Sequence, residues 1–263
     1  MNIIDYGIPF MISFSGGRTS AYMTYILLQN EFIKTNSVVC FANTGKENEA
    51  TLQFVKDCQD HWDIEIVWLE YDLETKYRIV NFETANREGK PFADLISKRN
   101  YLPNVVTRFC TQDLKIRLFK YYMQDLGFKH WTNIIGIRYD EPRRYYKLIN
   151  NSKERWNNYM PLFDLKITKK DISCFWNNMN FQLKIKDYEG NCDLCFLKSI
   201  KKKKEIIRNS PEKVEWWIKQ ENIVNATFVK DFSYTQLRTL IEQRYDLFEH
   251  SNDIDIECFC NVD

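Results

Sequence analysis

The segment that most limits what this chain can become is Phe10-Met11-Ile12-Ser13-Phe14-Ser15-Gly16-Gly17-Arg18-Thr19-Ser20. It is an apolar run that breaks into a loop of small residues and re-enters as a helix. Residues 8–14 read as a buried strand, and residues 19–30, with Ala21, Met23, Tyr25, Ile26, Leu27 and Leu28, read as a mostly apolar helix. Between them, Gly16 and Gly17 let the backbone approach an anion closely, and the hydroxyls of Ser15, Thr19 and Ser20 supply donors. The helix start adds unbonded N–H groups at the positive end of its dipole. The stretch reads as a phosphate cradle, with a plain glycine-rich turn as the alternative. Its spacing excludes both a Walker A loop and a Gly-x-Gly-x-x-Gly dinucleotide fingerprint.

The pattern then repeats. Residues 37–42 form a second short apolar run ending in Asn43-Thr44-Gly45-Lys46-Glu47, a helix is expected from about residue 49 to 60, and Ile64 to Leu69 reads as a third strand. Alternating strands and helices predict an α/β fold: an open, mostly parallel sheet with helices on both faces. Ligands in such sheets sit at the C-terminal strand ends, where both loops fall. Residues 71–106 show no sustained period and read as a long, partly helical insertion near the site. Trp131 to Ile137 reads as another buried strand, ending in Gly136-Ile137-Arg138-Tyr139-Asp140-Glu141.

Composition narrows the function classes. With 263 residues the chain can bury a substantial core, and at 44% hydrophobic and 28% charged it falls among soluble globular proteins. A formal charge of +1 gives no global attraction to a polyanion, so any nucleic acid would need a local basic patch. No window approaches the ~18 apolar residues of a membrane span, and no secretory leader is evident, so a cytoplasmic protein without membrane association is expected. Eight cysteines in a reducing compartment then argue against a disulfide framework.

Four loops together resemble the phosphoadenosine phosphosulfate (PAPS) reductases and their relatives the N-type ATP pyrophosphatases, the adenine nucleotide alpha hydrolase group. Ser15 to Ser20 is similar to their Ser-Gly-Gly-x-Asp-Ser loop, with Thr19 for Asp and Arg18 at the variable, often basic position. Asn43-Thr44-Gly45-Lys46-Glu47 is similar to Asp-Thr-Gly-x-Glu, with Asn43 for Asp. Arg108 to Ile116 resembles Arg-x-Cys-Thr-x-x-x-Lys-Ile, opening a helix to about Asp125. Gly136 to Arg144 resembles Gly-x-Arg-x-x-Glu-Ser-x-x-Arg, with Pro142 for Ser and the final arginine displaced to Arg143 or Arg144. Tyr159 to Asp164, followed by a helix over 168–178, looks like the family's Pro-Leu strand and next helix.

The resemblance implies a nucleotide-binding domain over 1–189 and a small, helical, cysteine-bearing region over 190–263 packed on it. It implies nucleotide contacts from Ser13, Ser15, Gly16, Gly17, Arg18, Thr19, Ser20, Asn43, Thr44, Gly45, Glu47, Gly136 and Arg138, with catalytic roles for Arg138 and Glu141. Arginine suits this place because a planar guanidinium clamps phosphate or sulfate oxygens bidentately.

Cys192-x-x-Cys195 and Cys258-x-Cys260 make four thiolates compatible with tetrahedral zinc. Similarity to the cluster-bearing sulfonucleotide reductases implies instead a [4Fe–4S] cluster on Cys110, Cys192, Cys195 and one of Cys258 or Cys260, although Phe109 replaces one cysteine of the family's pair. The cluster is preferred because Cys110 lies in the matching segment; zinc and unligated thiols are the alternatives. Cys40, Cys58 and Cys174 read as core, and Lys198 with Lys201 to Lys204 as a solvated helix face or a phosphate-backbone contact. Trp216 and Trp217 read as packing in a small helical cap.

The resemblance implies one of two reactions. ATP with Mg²⁺ is bound and an acceptor is adenylated for sulfur transfer, the partners being a nucleic acid (tRNA or DNA) or a sulfur donor protein. Alternatively, Cys258 attacks PAPS and releases sulfite. The intact Ser15-Gly16-Gly17 loop favours ATP, because sulfonucleotides have no pyrophosphate to bind. A module that binds an adenine nucleotide without turnover is the third reading, and a homodimer is left open.

Overall fold

The β-branched and aromatic runs at the N-terminus form the centre of one six-stranded sheet in the order β4-β3-β2-β1-β5-β6. The strands are β1 (Phe10–Phe14), β2 (Ser37–Asn43), β3 (Ile66–Asp72), β4 (Lys76–Val80), β5 (Trp131–Ile135) and β6 (Trp156–Tyr159). All neighbours pair in parallel except β3 and β4, which are antiparallel. This is the expected α/β architecture, seen in a computed structural model that describes residues 9–149, 154–186 and 188–243.

Because the central strands are covered on both faces, their sequences read as apolar runs, and pleating divides each run between two cores. Phe10, Ile12, Phe14, Val39, Phe41, Ile66 and Trp68 face α1 (Arg18–Leu28), α3 (Glu49–Trp62) and α9 (Lys169–Asn177). Met11, Cys40, Ala42, Val67, Leu69 and Trp131 face the other way. Towards β2 and β3 that second face is covered by α4 (Lys90–Arg99) and by the helical stretch formed by α5 (Phe109–Thr111), a π-helical turn at Gln112–Ile116 and α6 (Arg117–Asp125). The remaining short helices are α2 (Glu31–Thr35), α7 (Pro142–Ile149) and α8 (Pro161–Asp164). No described helix is long and apolar enough to cross a membrane.

Several local expectations change. Residues 71–106 are partly helical as expected, in α4, but they also hold a strand: Asp72 Oδ1 accepts from the N–H groups of Glu74 and Thr75, turning the chain into the antiparallel edge strand β4. The strand expected around Pro161 ends at Tyr159, and Pro161 opens a short helical turn, consistent with a residue that lacks an N–H and fits a first helical position. Cys40 and Cys58 are buried as read, but Cys174 is exposed.

The C-terminal helices α10 (Ile200–Asn209), α11 (Lys213–Val224) and α12 (Tyr234–Glu242) share the core of the second sheet face. Trp217 is buried there as packing, and its Nε1 donates to Asp193 Oδ1 at 2.9 Å. Tyr234 donates its hydroxyl to the Leu194 carbonyl at 2.5 Å. Glu221 accepts the N–H groups of Phe228 and Tyr234; burial raises its carboxyl above the usual range, and those two donors oppose the rise. The lysine run is not a solvated face throughout. Lys203 is buried, its Nζ donating to the carbonyls of Phe196 (3.0 Å) and Lys198, and Lys204 is buried with it.

The Cys-x-x-Cys loop is therefore clamped from both sides. Lys46 Nζ meets Asp193 Oδ2 at 2.7 Å with both side chains 8% exposed. Replacing Asp193→Ala leaves a buried ammonium and an indole N–H without their acceptor, so a loss of about 3–5 kcal/mol is expected in denaturant unfolding. The double replacement Lys46→Met/Asp193→Leu should recover much of it, because two well-packed apolar groups carry no desolvation penalty.

Candidate functional site

The loop from Ser15 to Ser20 is shaped by its own hydroxyls. Ser20 donates to the Gly17 carbonyl at 3.0 Å, so the 2.9 Å contact between the two serine hydroxyls has Ser15 as donor. Ser20 Oγ also accepts the Ser15 N–H at 3.1 Å. The first helical bond is Ala21 N–H to the Gly17 carbonyl, and no side chain caps the helix at Gly17. The N–H groups ahead of Ala21 lie outside the helical ladder, at the positive end of an 11-residue helix with no acidic residue in its first turn. Gly16 sits at φ +80°, where a Cβ would come within 2.6 Å of Thr51 and 3.2 Å of Phe41.

Arg138, at the end of β5, reaches this loop: its Nη1 lies 3.3 Å from Thr19 Oγ1. Its Nε donates to Asp140 at 2.9 Å, while its backbone N–H donates to Glu141 at 3.1 Å. Glu141 also pairs with Arg144, so this carboxylate holds two arginines in place. Arg18, expected at the anion, points elsewhere. Its Nη2 donates to the Leu183 carbonyl at 2.9 Å, and its own carbonyl accepts from Trp176, which ties α9 to the loop.

The second loop is a buried knot. Asn43 is fully buried; its Nδ2 donates to Glu70 Oε1 at 2.6 Å and to the Asn86 carbonyl at 2.8 Å, and its Oδ1 accepts from Gly45. Glu70, buried as well, also takes Arg78 and the Asn86 N–H. The amide at 43 thus has a local cause: an Asp there would face another carboxylate. Thr44 donates twice to Glu47 Oε2, while Glu47 Oε1 meets Lys115 Nζ at 3.3 Å and lies 4.0 Å from Cys192 Sγ. Gly45, at φ +78°, is pressed against Asn86 and Gly89.

The knot joins the Cys-x-x-Cys loop through a bridge between Glu47 and Cys192 and through Asp193 N–H to the Lys46 carbonyl. Asn191, 1% exposed, donates from the same loop to the Ser15 carbonyl at 2.8 Å. Lys198 Nζ donates to the Cys192 carbonyl at 2.5 Å. Among the described residues no three His, Cys, Asp or Glu side chains gather as metal ligands. Cys110 and Cys195 pack partly buried against one core, and Cys258 and Cys260 lie outside the described residues.

Beside the phosphate-type loop the second sheet face opens into a cleft of about 150 Å³. Ser13, Ser15, Ser20 and Gly136 form one end. Gln112 and Lys115 of the π-turn form a side, and Trp131, Asn133, Trp156 and Asn158 form the far end. Asn43, Thr44, Gly45 and Glu47 do not line it, nor do Arg138 and Glu141, although Arg144 does. The far end was missed; its signal was Asn133, a polar residue within an apolar strand. The π-turn is a further pointer, since such irregularities recur at functional sites.

The sequence profile of the phosphoadenosine phosphosulfate reductase domain matches residues 9–185. The chain belongs to that family. This PAPS reductase-family chain is also 33% identical over 202 residues to the uncharacterized nin region protein ORF290 of Escherichia phage lambda, covering 73% of this chain and 67% of the relative. It shows similarity to the solved U34-tRNA thiolase NcsA from Methanococcus maripaludis with its [4Fe-4S] cluster, at 15% identity and a TM-score of 0.36, over 85% of this chain and 74% of that one. The family is one of nucleotide-using, sulfur-handling enzymes.

Two substitutions probe the loops. Gly16→Ala forces a side chain into the left-handed region and against Thr51, so it should cost about 1–3 kcal/mol in unfolding experiments. Asn43→Asp sets two carboxylates together, so the folded protein retains a proton that the unfolded chain releases. The variant's deficit against wild type, followed by denaturant titration, should widen as pH rises from about 4 to about 7 and narrow as it falls.

Proposed function

We propose that this PAPS reductase-family chain binds the phosphates of ATP at the Ser15 to Ser20 loop and uses the nucleotide to activate an acceptor for sulfur transfer. The observation that carries this reading is the meeting of an uncapped helix start with Arg138 across the sheet edge, 3.3 Å from Thr19. A pyrophosphate seated at this helix start would stand beside that guanidinium. An acceptor oxygen then attacks the α-phosphorus, the bond to the β-phosphate oxygen breaks, and pyrophosphate leaves. Hydrosulfide from a sulfur donor displaces AMP, so the acceptor exchanges oxygen for sulfur. Magnesium enters with the phosphates, and most of the rate comes from positioning and charge neutralisation.

Glu141 is assigned to holding Arg138 and Arg144, and Glu47 to holding Lys115 and the Cys-x-x-Cys loop. Lysine ammonium groups donate to the carbonyls of Cys192, Phe196 and Lys198 and so fix the backbone that carries the two thiols. The described thiols do not complete a metal site by themselves, so no step is routed through a metal. A cluster on Cys110, Cys192, Cys195 and one of Cys258 or Cys260 remains our proposal, with zinc on Cys192, Cys195, Cys258 and Cys260 as the alternative.

Incubation with magnesium-ATP, sulfide and a panel of acceptors should release pyrophosphate and AMP, and Arg138→Lys, which keeps the charge but loses the planar fork, should slow release by about 10²-fold. Sulfite from PAPS, or tight nucleotide binding with neither product, overturns the reading. Anaerobically purified protein should be brown with about four irons per chain, whereas a colourless protein with a single zinc selects the alternative.

A further inference from the structure

A chain with a net charge of +1 can meet a polyanion only through a local surplus, and the lysine run after the Cys-x-x-Cys loop does not supply one, since Lys203 and Lys204 are buried. The surplus lies elsewhere. Residues 138–171 hold nine lysines and arginines against five aspartates and glutamates. Four of those carboxylates are engaged already: Asp140 and Glu141 by arginines, Glu154 by Lys120, and Asp171 by the N–H and hydroxyl of Thr168, which leaves Asp164. Arg143, Lys147, Lys166, Lys169 and Lys170 are exposed, and among the described residues none of them forms an ion pair.

The same surface carries aromatic rings. α7 has no buried residue, and its Tyr146 and Ile149 are 60% and 50% exposed. Tyr145 stacks on Phe163 of α8 with ring centroids 3.7 Å apart, and Tyr139, 45% exposed, lies 5.2 Å from the same ring. The Tyr139 N–H donates to the Ile167 carbonyl at 2.8 Å and the Lys169 N–H to Asp140 at 3.4 Å, so the turn after β5 and the segment after α8 form one continuous face. Spacings of three and four residues put Arg143, Tyr146 and Lys147 on one side of α7, and Arg144 and Leu148, which line the cleft, on the adjoining side.

We propose that this face binds a single-stranded polynucleotide, RNA or DNA, and leads it to the cleft. Its phosphates pair with the five cations, and its unstacked bases lie on the exposed rings of Tyr139 and Tyr146. A single strand can meet both demands, whereas a duplex has its bases already stacked. A second copy of this chain would set like charges against one another, and an anionic membrane, being flat, would not follow the surface round α7 into the cleft. The proposal gives the acceptor of the reaction above its chemical class and rests on that reading for the chemistry, while the binding itself needs no nucleotide.

Fluorescence anisotropy of the full chain with labelled single strands of about 12 nucleotides and the matching duplex, from about 50 to about 200 mM salt, tests it. Wild type should hold the single strand about tenfold more tightly than the duplex. Tyr146→Ala should weaken single-strand binding about tenfold, the scale of one lost stacking contact, while Tyr146→Phe keeps the ring and the affinity. The double replacement Lys169→Gln/Lys170→Gln should lower the slope of log K against log salt by about 1.4, for two phosphates at ~0.7 each. All three side chains are exposed, so the fold tolerates these changes. No binding at the lower salt, a Tyr146→Ala protein with wild-type affinity, or a duplex held as tightly as a single strand overturns the proposal. Phosphatidylserine vesicle binding, or a dimer in sedimentation, that Tyr146→Ala abolishes in place of strand binding overturns it as well. RNA and DNA strands of one sequence are compared directly, and the one bound more tightly is the source. Strand binding without pyrophosphate release from magnesium-ATP keeps the surface and removes the reaction; pyrophosphate release with a small acceptor and no strand binding removes the surface alone.

Discussion

The geometry of the sheet edge depends on one buried ion pair, Lys46 with Asp193. Lys46 belongs to the turn after β2 and Asp193 to the Cys-x-x-Cys loop, more than a hundred residues later in the chain. A buried pair of this kind contributes little net stability, since desolvation offsets most of the attraction, but losing one partner is expensive. It therefore serves best as a register pin. With it in place, Asp193 N–H reaches the Lys46 carbonyl, Asn48 N–H reaches the Asn191 carbonyl, and Asn191 reaches the Ser15 carbonyl. The anion-type loop, the knot after β2 and the cysteine loop are one hydrogen-bonded body.

The chemistry around that body is divided. Lysines act largely on carbonyl oxygens and buried carboxylates: Lys198 and Lys203 on the cysteine loop, Lys115 on Glu47, Lys46 on Asp193. Arginines divide between Glu70, Asp113, Glu49, Glu141 and the edge of the phosphate-type loop. A formal charge of +1 thus hides a strongly polarised interior, in which both signs are spent on holding loops rather than on a diffuse field. The sheet itself is asymmetric. Its second face carries α4, α6 and the C-terminal helices near β2 and β3, while part of it near β1, β5 and β6 opens as the cleft. A parallel sheet ordinarily has both faces covered, so an open stretch beside a helix N-terminus is where a ligand has room.

Much of this was legible in the sequence because it is local. Runs such as residues 10–14 and 37–42 announce doubly covered strands, and the break into Ser15-Gly16-Gly17 announces a tight turn into a helix. The family assignment has the same local origin, since it rests on loop motifs of a few residues each, whereas the strand order comes from the structure. What escaped was set by distant partners. Asn43 looked like a ligand-facing substitute for Asp, yet its amide is explained by Glu70, 27 residues away. Arg18 looked like a phosphate ligand, yet a carbonyl at Leu183 draws it off. The half-exposed β4 has an edge-strand sequence that carries no clear alternation, and only pairing with β3 identifies it.

By itself, then, the sequence determined the layered α/β plan, the tight strand-to-helix corner at Gly16 and Gly17 and the family, because propensity, pleat and glycine geometry act over a few residues. Only the tertiary structure decided which polar side chains line the cleft and which are consumed indoors. A hydrogen bond is satisfied by whatever donor or acceptor the fold brings near, and for Asn133, Asn191 and Lys203 those neighbours come from other elements.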